Sequence, residues 1–201
     1  MGLHKVVVVL LHALVAGFIV ACGGERAGEG NITAPETPLF TLSADGVGPL
    51  NAETPFNLVQ IGDAFQNYNV AQETHLRDAG QYPVITVRQR DELLLSINAD
   101  YKEQRVFSII VHDNRVGNEL GHRLGDRFNE IYAYGKTEEC APGLEEWAGK
   151  VMCYAPQTKN ILYLFDNEAG QGADGEVPTH DVLADWELAA IVWKPPLRGI
   201  D

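Results

Sequence analysis

Nucleophilic catalysis needs a hydroxyl or thiol beside a base that a third group orients, so serine, histidine and acidic positions are read first. Beyond the amino-terminal apolar run, serine occurs at Ser43, Ser96 and Ser108, all within expected strands, and no GxSxG elbow is present. Serine hydrolase chemistry is not expected. His75, His112, His122 and His180 are scattered without HExxH spacing, so no metal site is expected either. Glu138-Glu139 and Glu145-Glu146 read as solvated faces rather than acid and base pairs. Residues 170–175, GQGADG, formally satisfy GxGxxG. A dinucleotide site would need the last glycine to open a helix, whereas Glu176, Val177 and Pro178 follow, and Asp166, Glu168 and Asp174 would repel phosphate. The stretch reads as a loop, and it lacks the chelating spacing of a calcium site. The expectation is a chain without cofactor or catalytic residues, and not an enzyme.

The three cysteines carry more. Lys5 is followed by an apolar stretch over residues 6–18 that is broken by His12, then by Ile19-Val20-Ala21-Cys22 and by Gly23-Gly24-Glu25-Arg26. Charge, apolar core and small residues in that order form a secretion signal, short for an uncleaved anchor in a bilayer whose crossing takes roughly 20 apolar residues. Residues 19–22 resemble a bacterial lipobox, which implies cleavage before Cys22 and acylation of its sulfur and new amino terminus. Several acyl chains, each methylene contributing about 0.8 kcal/mol, would hold the protein on a membrane durably. Gly23 stands where an aspartate would resemble an inner-membrane retention signal, so the outer membrane, with the domain facing the periplasm, is the expected location. Cys140 and Cys153 remain as an even pair in an oxidising compartment and are expected to form a disulfide. The twelve residues between them do not match zinc-ligand spacing.

Removing residues 1–21 leaves 180, one domain of ordinary size, and the composition, 45% hydrophobic and 21% charged, is that of a globular chain. The formal charge is −13, and loss of Lys5 with the signal makes it −14. With no basic stripe to offset that acidity, nucleic acid is excluded as a partner. A basic protein or cationic ligand would be attracted, although acidity also serves plain solubility.

The elements that position these residues read as follows. Residues 22–38 form a tether rich in Gly, Pro, Glu and Thr, residues 39–195 one α+β domain, and residues 196–201 a tail. Paired apolar spacing predicts strands over 39–43, 83–88, 93–98, 105–112, 150–154, 161–165 and 188–193. Thr54-Pro55 predicts one helix start, with Phe56, Val59 and Ala64 on its apolar face; Asp126 predicts a second, and residues 179–186 a short third. TPFNLV at 54–59 also matches DRFNEI at 126–131, each preceded by a Val-Gly pair, Val47-Gly48 or Val116-Gly117. A competing register aligns residues 61–65 with 124–128; the first is preferred because it keeps cap and loop aligned. The expected fold is therefore a predominantly antiparallel sheet with two or three helices, built from two tandem strand, loop, helix, strand, strand units and closed by a final strand.

Two features could bind a partner. One is the pair of glycine loops, with Asp45, Gly46 and Gly48 in the first and Asp113, Gly117 and His122 in the second, where tight turns expose backbone donors. The other is Trp147 between Cys140 and Cys153, either an anchor for a partner or an indole folded back over the sheet edge. DGVGPL, TPFNLVQI, DNRVGNELGHRLGD, CAPGLEEWAGKVMCYAP and IVWKP, in this order behind the lipobox, resemble the enterobacterial lipoproteins regulated by the envelope-stress sigma factor. That resemblance implies a lipoprotein of the cell envelope without a known activity or active site. The anchor at Cys22, the stapled domain and the lack of a catalytic constellation together lead to the expectation of a membrane-held protein that binds or supports another envelope component, with an envelope protein as its partner.

Overall fold

Apolar residues on alternate positions place strands across most of the chain, as described in the computed structural model for residues 37–77, 80–133, 139–167 and 175–196. Cys22, the signal segment, most of the tether, residues 170–174 and the end of the tail lie outside the described residues. Everything described falls within one unit, Glu36–Asp201.

In chain order the elements are β1 (Phe40–Leu42), β2 (Gly46–Val47), β3 (Leu50–Asn51), α1 (Leu58–Ala64), β4 (Asn69–Arg77), β5 (Gly80–Gln89), β6 (Glu92–Ala99) and β7 (Val106–Val111). They continue with β8 (Val116–Asn118), α2 (Phe128–Ile131), β9 (Cys140–Pro142), β10 (Val151–Tyr154), β11 (Ile161–Asp166), α3 (His180–Leu183) and β12 (Glu187–Trp193). Two sheets result, a small one ordered β3-β2-β1-β8 and an eight-stranded one ordered β4-β5-β6-β7-β12-β11-β10-β9. All pairings in the large sheet are antiparallel; β1 with β8 is the parallel pair. The chain is thus α+β with mostly antiparallel sheet.

Pairing register sorts the side chains by face. Val87, Leu95, Val111, Ile191, Tyr163 and Cys153 form one row across the large sheet and are buried. They belong to a core that also takes Ile61 from α1, Phe128 from α2, Leu183 from α3, and Leu42 and Val47 from the small sheet. Phe128 meets Phe165 and Tyr132 at ring centroid distances of 5.1 and 4.7 Å. Helices and small sheet therefore share this face.

The tandem organisation is present, with a longer unit than the spacing predicted. Each of α1 and α2 is followed by four consecutively paired strands, β4 to β7 or β9 to β12, the second set with α3 between its third and fourth strands, and the fourth strands, β7 and β12, pair at the centre of the sheet. Ahead of the helices, β1 and β8 pair with each other. Backbone bonds fix the alignment: Val106 N–H donates to Thr54 O and Leu188 N–H to Asp126 O, while Phe56 N–H donates to Gln104 O and Phe128 N–H to Trp186 O. Thr54 is thereby equivalent to Asp126 and Phe56 to Phe128, the register of the TPFNLV and DRFNEI match.

The same bonds explain the helix starts. Because Thr54 and Asp126 spend their carbonyls on the fourth strands, neither begins a helix; α1 opens later, at Asn57, whose side chain accepts from Val59 and Gln60 N–H at 3.0 Å. Thr54 instead closes a turn, its hydroxyl accepting from Asn51 N–H at 2.9 Å. Val59 faces solvent, and Ile61 and Phe65 fill the core in its place.

Candidate functional site

The opposite face of the large sheet carries Thr86, Ser96, Ile110, Val192 and Leu162 in one row. One cavity of about 720 Å³ lies over this face and touches both Tyr82 on β5 and Ala141 on β9. In a flat sheet, six strand spacings of about 4.8 Å would hold those strands roughly 29 Å apart. A single cavity touching both requires the sheet to curl around this face, making a groove. Its volume is in the range of about 300–1,000 Å³ that small-molecule and side-chain pockets occupy.

Three local devices build the walls. At β6–β7 the register jumps from Asn98 opposite Ser108 to Ala99 opposite Val106, leaving Phe107 as a bulged residue. Val106 keeps the core position, while Phe107 is half exposed and lines the groove, with the Lys194 ammonium 4.9 Å from its ring centroid. Second, the turn after β6 carries Tyr101 at the rim, and its Asp100 carboxylate accepts from Gln104 N–H at 2.9 Å and Lys102 N–H at 3.2 Å. Those backbone donors, Gln104 first, hold the Asp100 carboxyl below its ordinary value.

The third device is the β9–β10 hairpin. Cys140 stands directly opposite Cys153 in the register, and the two form a disulfide. The hairpin tip, closed by Gly143 N–H donating to Lys150 O and containing a 3-10 turn at Glu145–Trp147, places Leu144, Glu145, Glu146 and Trp147 on the groove. Lys150 pairs with Asp166 on β11 and ties the base of the tip to the sheet. Trp147 is half-buried as it lines the cavity, whereas Trp186 and Trp193 are core. Of the candidate binding residues named from the sequence, Trp147 alone lines this groove.

The other candidates meet in the small sheet, where β2 and β8 flank β1. At Gly46 any added Cβ would run into the Leu50 carbonyl oxygen, and Gly48 turns the chain at φ +57° against the Phe40 ring. Asp45 is exposed, its amide held by Ser43 Oγ at 3.2 Å, and Gly117 pairs with Thr41. Asp113 is clamped by Arg115, accepting from its amide at 2.8 Å and its Nε at 2.9 Å, and the Arg115 hydrogen bond holds the carboxyl below the usual range. His122 Nδ1 lies 2.8 Å from Tyr163 Oη, which also accepts from Asn118 Nδ2 at 3.0 Å. Burial pushes the Tyr163 hydroxyl up to about 12 and lowers His122. These contacts lock the glycine loops onto the core.

Beside the groove, on the same face, runs a polar strip. Thr86 Oγ1 donates to Glu73 Oε1 at 3.1 Å, and His112 Nε2 lies 3.0 Å from Ser96 Oγ. Burial, with Arg88 adding to it, lowers His112. A hydroxyl and an imidazole are thus in contact, but among the described residues no carboxylate orients the other ring nitrogen, as nucleophilic catalysis would require. Nor, among the described residues, does any group of three His, Cys, Asp or Glu side chains come together to hold a metal ion.

Residues 37–195 match the family described as protein of unknown function, DUF1131. The chain belongs to that family. The crystal structure of the uncharacterized protein yfeY from Escherichia coli is similar, with 26% identity and a TM-score of 0.63, covering 77% of this chain and 99% of that one. No curated protein matches the chain. As a DUF1131 member it carries the groove and the stapled hairpin within the matched span.

Tyr82, Phe107 and Lys194 escaped the sequence reading. Leu144 near Trp147 was the available signal, since two large apolar residues among the otherwise small and charged residues 143–150 mark a hairpin tip that is not purely solvated.

Proposed function

We propose that this chain is a lipid-anchored, non-enzymatic protein of the bacterial envelope that binds or supports another envelope component through the groove. The observation that carries the reading is the groove itself: a cavity on the second face of the large sheet, with Phe107 and Trp147 in its walls and no catalytic constellation among the described residues. The lipobox at residues 19–22 supports anchoring through Cys22 and a place on the periplasmic side of the outer membrane, and the Cys140–Cys153 disulfide suits that oxidising compartment. Control by the envelope-stress sigma factor, implied by the resemblance, fits a component that supports envelope assembly.

A photo-crosslinking side chain placed at Tyr101, on the groove rim, tests this in intact envelopes against the same group at Val182, exposed on α3. The expected result is a discrete adduct from Tyr101 alone, lost when Cys22→Ser releases the chain from the membrane. Equal labelling from both positions would count against the groove.

The acidity favours a second reading, a module that sequesters a basic secreted enzyme. It predicts association at low salt that fades as ionic strength rises.

A further inference from the structure

We infer that the groove takes a linear, cationic amphipathic peptide segment, its apolar side chains seated between Phe107 and Trp147 and its basic side chains on the carboxylates of the rim. This rests on the groove being the binding site. Four acidic residues line the cavity, Asp100, Glu103, Glu145 and Glu146, against one basic residue, Lys194. Glu103, Glu145 and Glu146 are exposed. Lys194 is already engaged over the Phe107 ring, and Lys102 lies 5.3 Å from the Tyr101 ring centroid. A ligand entering from solvent therefore meets the exposed carboxylates of Glu103, Glu145 and Glu146 and, in the same cavity, the Phe107 and Trp147 rings.

That combination of carboxylates and aromatic rings selects a ligand chemistry. Lysine and arginine side chains suit both layers, since a cation pairs with carboxylate and is attracted to aromatic faces. Their aliphatic stems lie along apolar walls while the charged head stays wet. An anionic lipid headgroup or a nucleic acid would meet repulsion at the same rim. Asn98 Nδ2 donates to Ser108 Oγ at 3.1 Å within the lining, so the lining is partly polar.

The test uses the full-length protein and a short fluorescent peptide alternating lysine with phenylalanine, read by anisotropy at low salt. A counterpart alternating glutamate with phenylalanine and an uncharged apolar dye serve as the other probes. The expected result is saturable binding of the lysine peptide alone, weakened about tenfold or more by E145K with E146K and by F107S, and largely lost near 0.5 M salt, where charges are screened within about 5 Å. Unchanged melting temperatures would show that the variants fold. Binding of dye or of both peptides, with no response to charge reversal, would overturn the cationic segment and leave the groove as an apolar site. No binding of any probe would overturn both readings.

Discussion

The two faces of the large sheet bury comparable side chains for different ends. On one, the row through Val87 and Tyr163 packs in a core with residues of three helices and the small sheet. On the other, Tyr82, Phe107 and Trp147 surround a cavity, and Tyr101 and Leu144 stand largely exposed at its edge. Burial on the first face is the source of stability. On the second it is incomplete, which is the condition for binding something else.

That contrast can be broken by experiment. Trp193, fully buried with its indole N–H donating to Ala44 O at 3.0 Å, is the severest test of the covered face. Trp193→Ala should cost about 3–5 kcal/mol in chemical denaturation, and a smaller loss would show that this face is loosely packed.

Removing the disulfide by Cys140→Ser with Cys153→Ser comes next, at about 3 kcal/mol for a loop of this length in the chain-entropy model. Because the hairpin also carries Leu144 and Trp147 to the groove, ligand binding should weaken in the same variant. Retained affinity would show that the tip needs no staple.

Gly46→Ala should follow at about 2 kcal/mol, since the new methyl group has no room beside Leu50. Its effect belongs in the unfolding midpoint, with groove affinity unchanged. A selective loss of binding would return the first glycine loop to the list of sites.

A smaller effect should appear with pH. Burial holds both His112 and His122 below the ordinary 6.5, with Arg88 adding to the shift at His112 and Asp126 opposing it at His122. The unfolded chain therefore takes up protons that the folded chain resists, so stability is full above about 6.5 and declines as pH falls toward the folded values. Thermal melts at about pH 7.5 and about pH 5.5 should show the decline, and His112→Gln should shrink it. An identical decline in the variant would assign it to other groups.

Much of this fold was legible from spacing alone. The strands β5, β6, β7, β10, β11 and β12 coincide with apolar alternation because both of their faces, or one face throughout, are buried. β4 went unread because Asn69–Arg77 is an edge strand that mixes polar residues along its length, so no clear period of two survives. The helix starts were displaced because Thr54 and Asp126 carry capping chemistry yet bond to the fourth strands, a long-range demand that local sequence does not reveal. The groove was half visible. Trp147 in a disulfide loop is a local signal, whereas the turning out of Phe107 depends on a bulge set by pairing with β6.

Phe107→Ser measures the difference between the faces most directly, taken through both denaturation and peptide titration. The account predicts an unfolding free energy within about 1 kcal/mol of the wild type, because the side chain is half exposed, together with at least about a tenfold loss of affinity. Destabilisation of several kcal/mol with affinity intact would contradict it and make this face a second core.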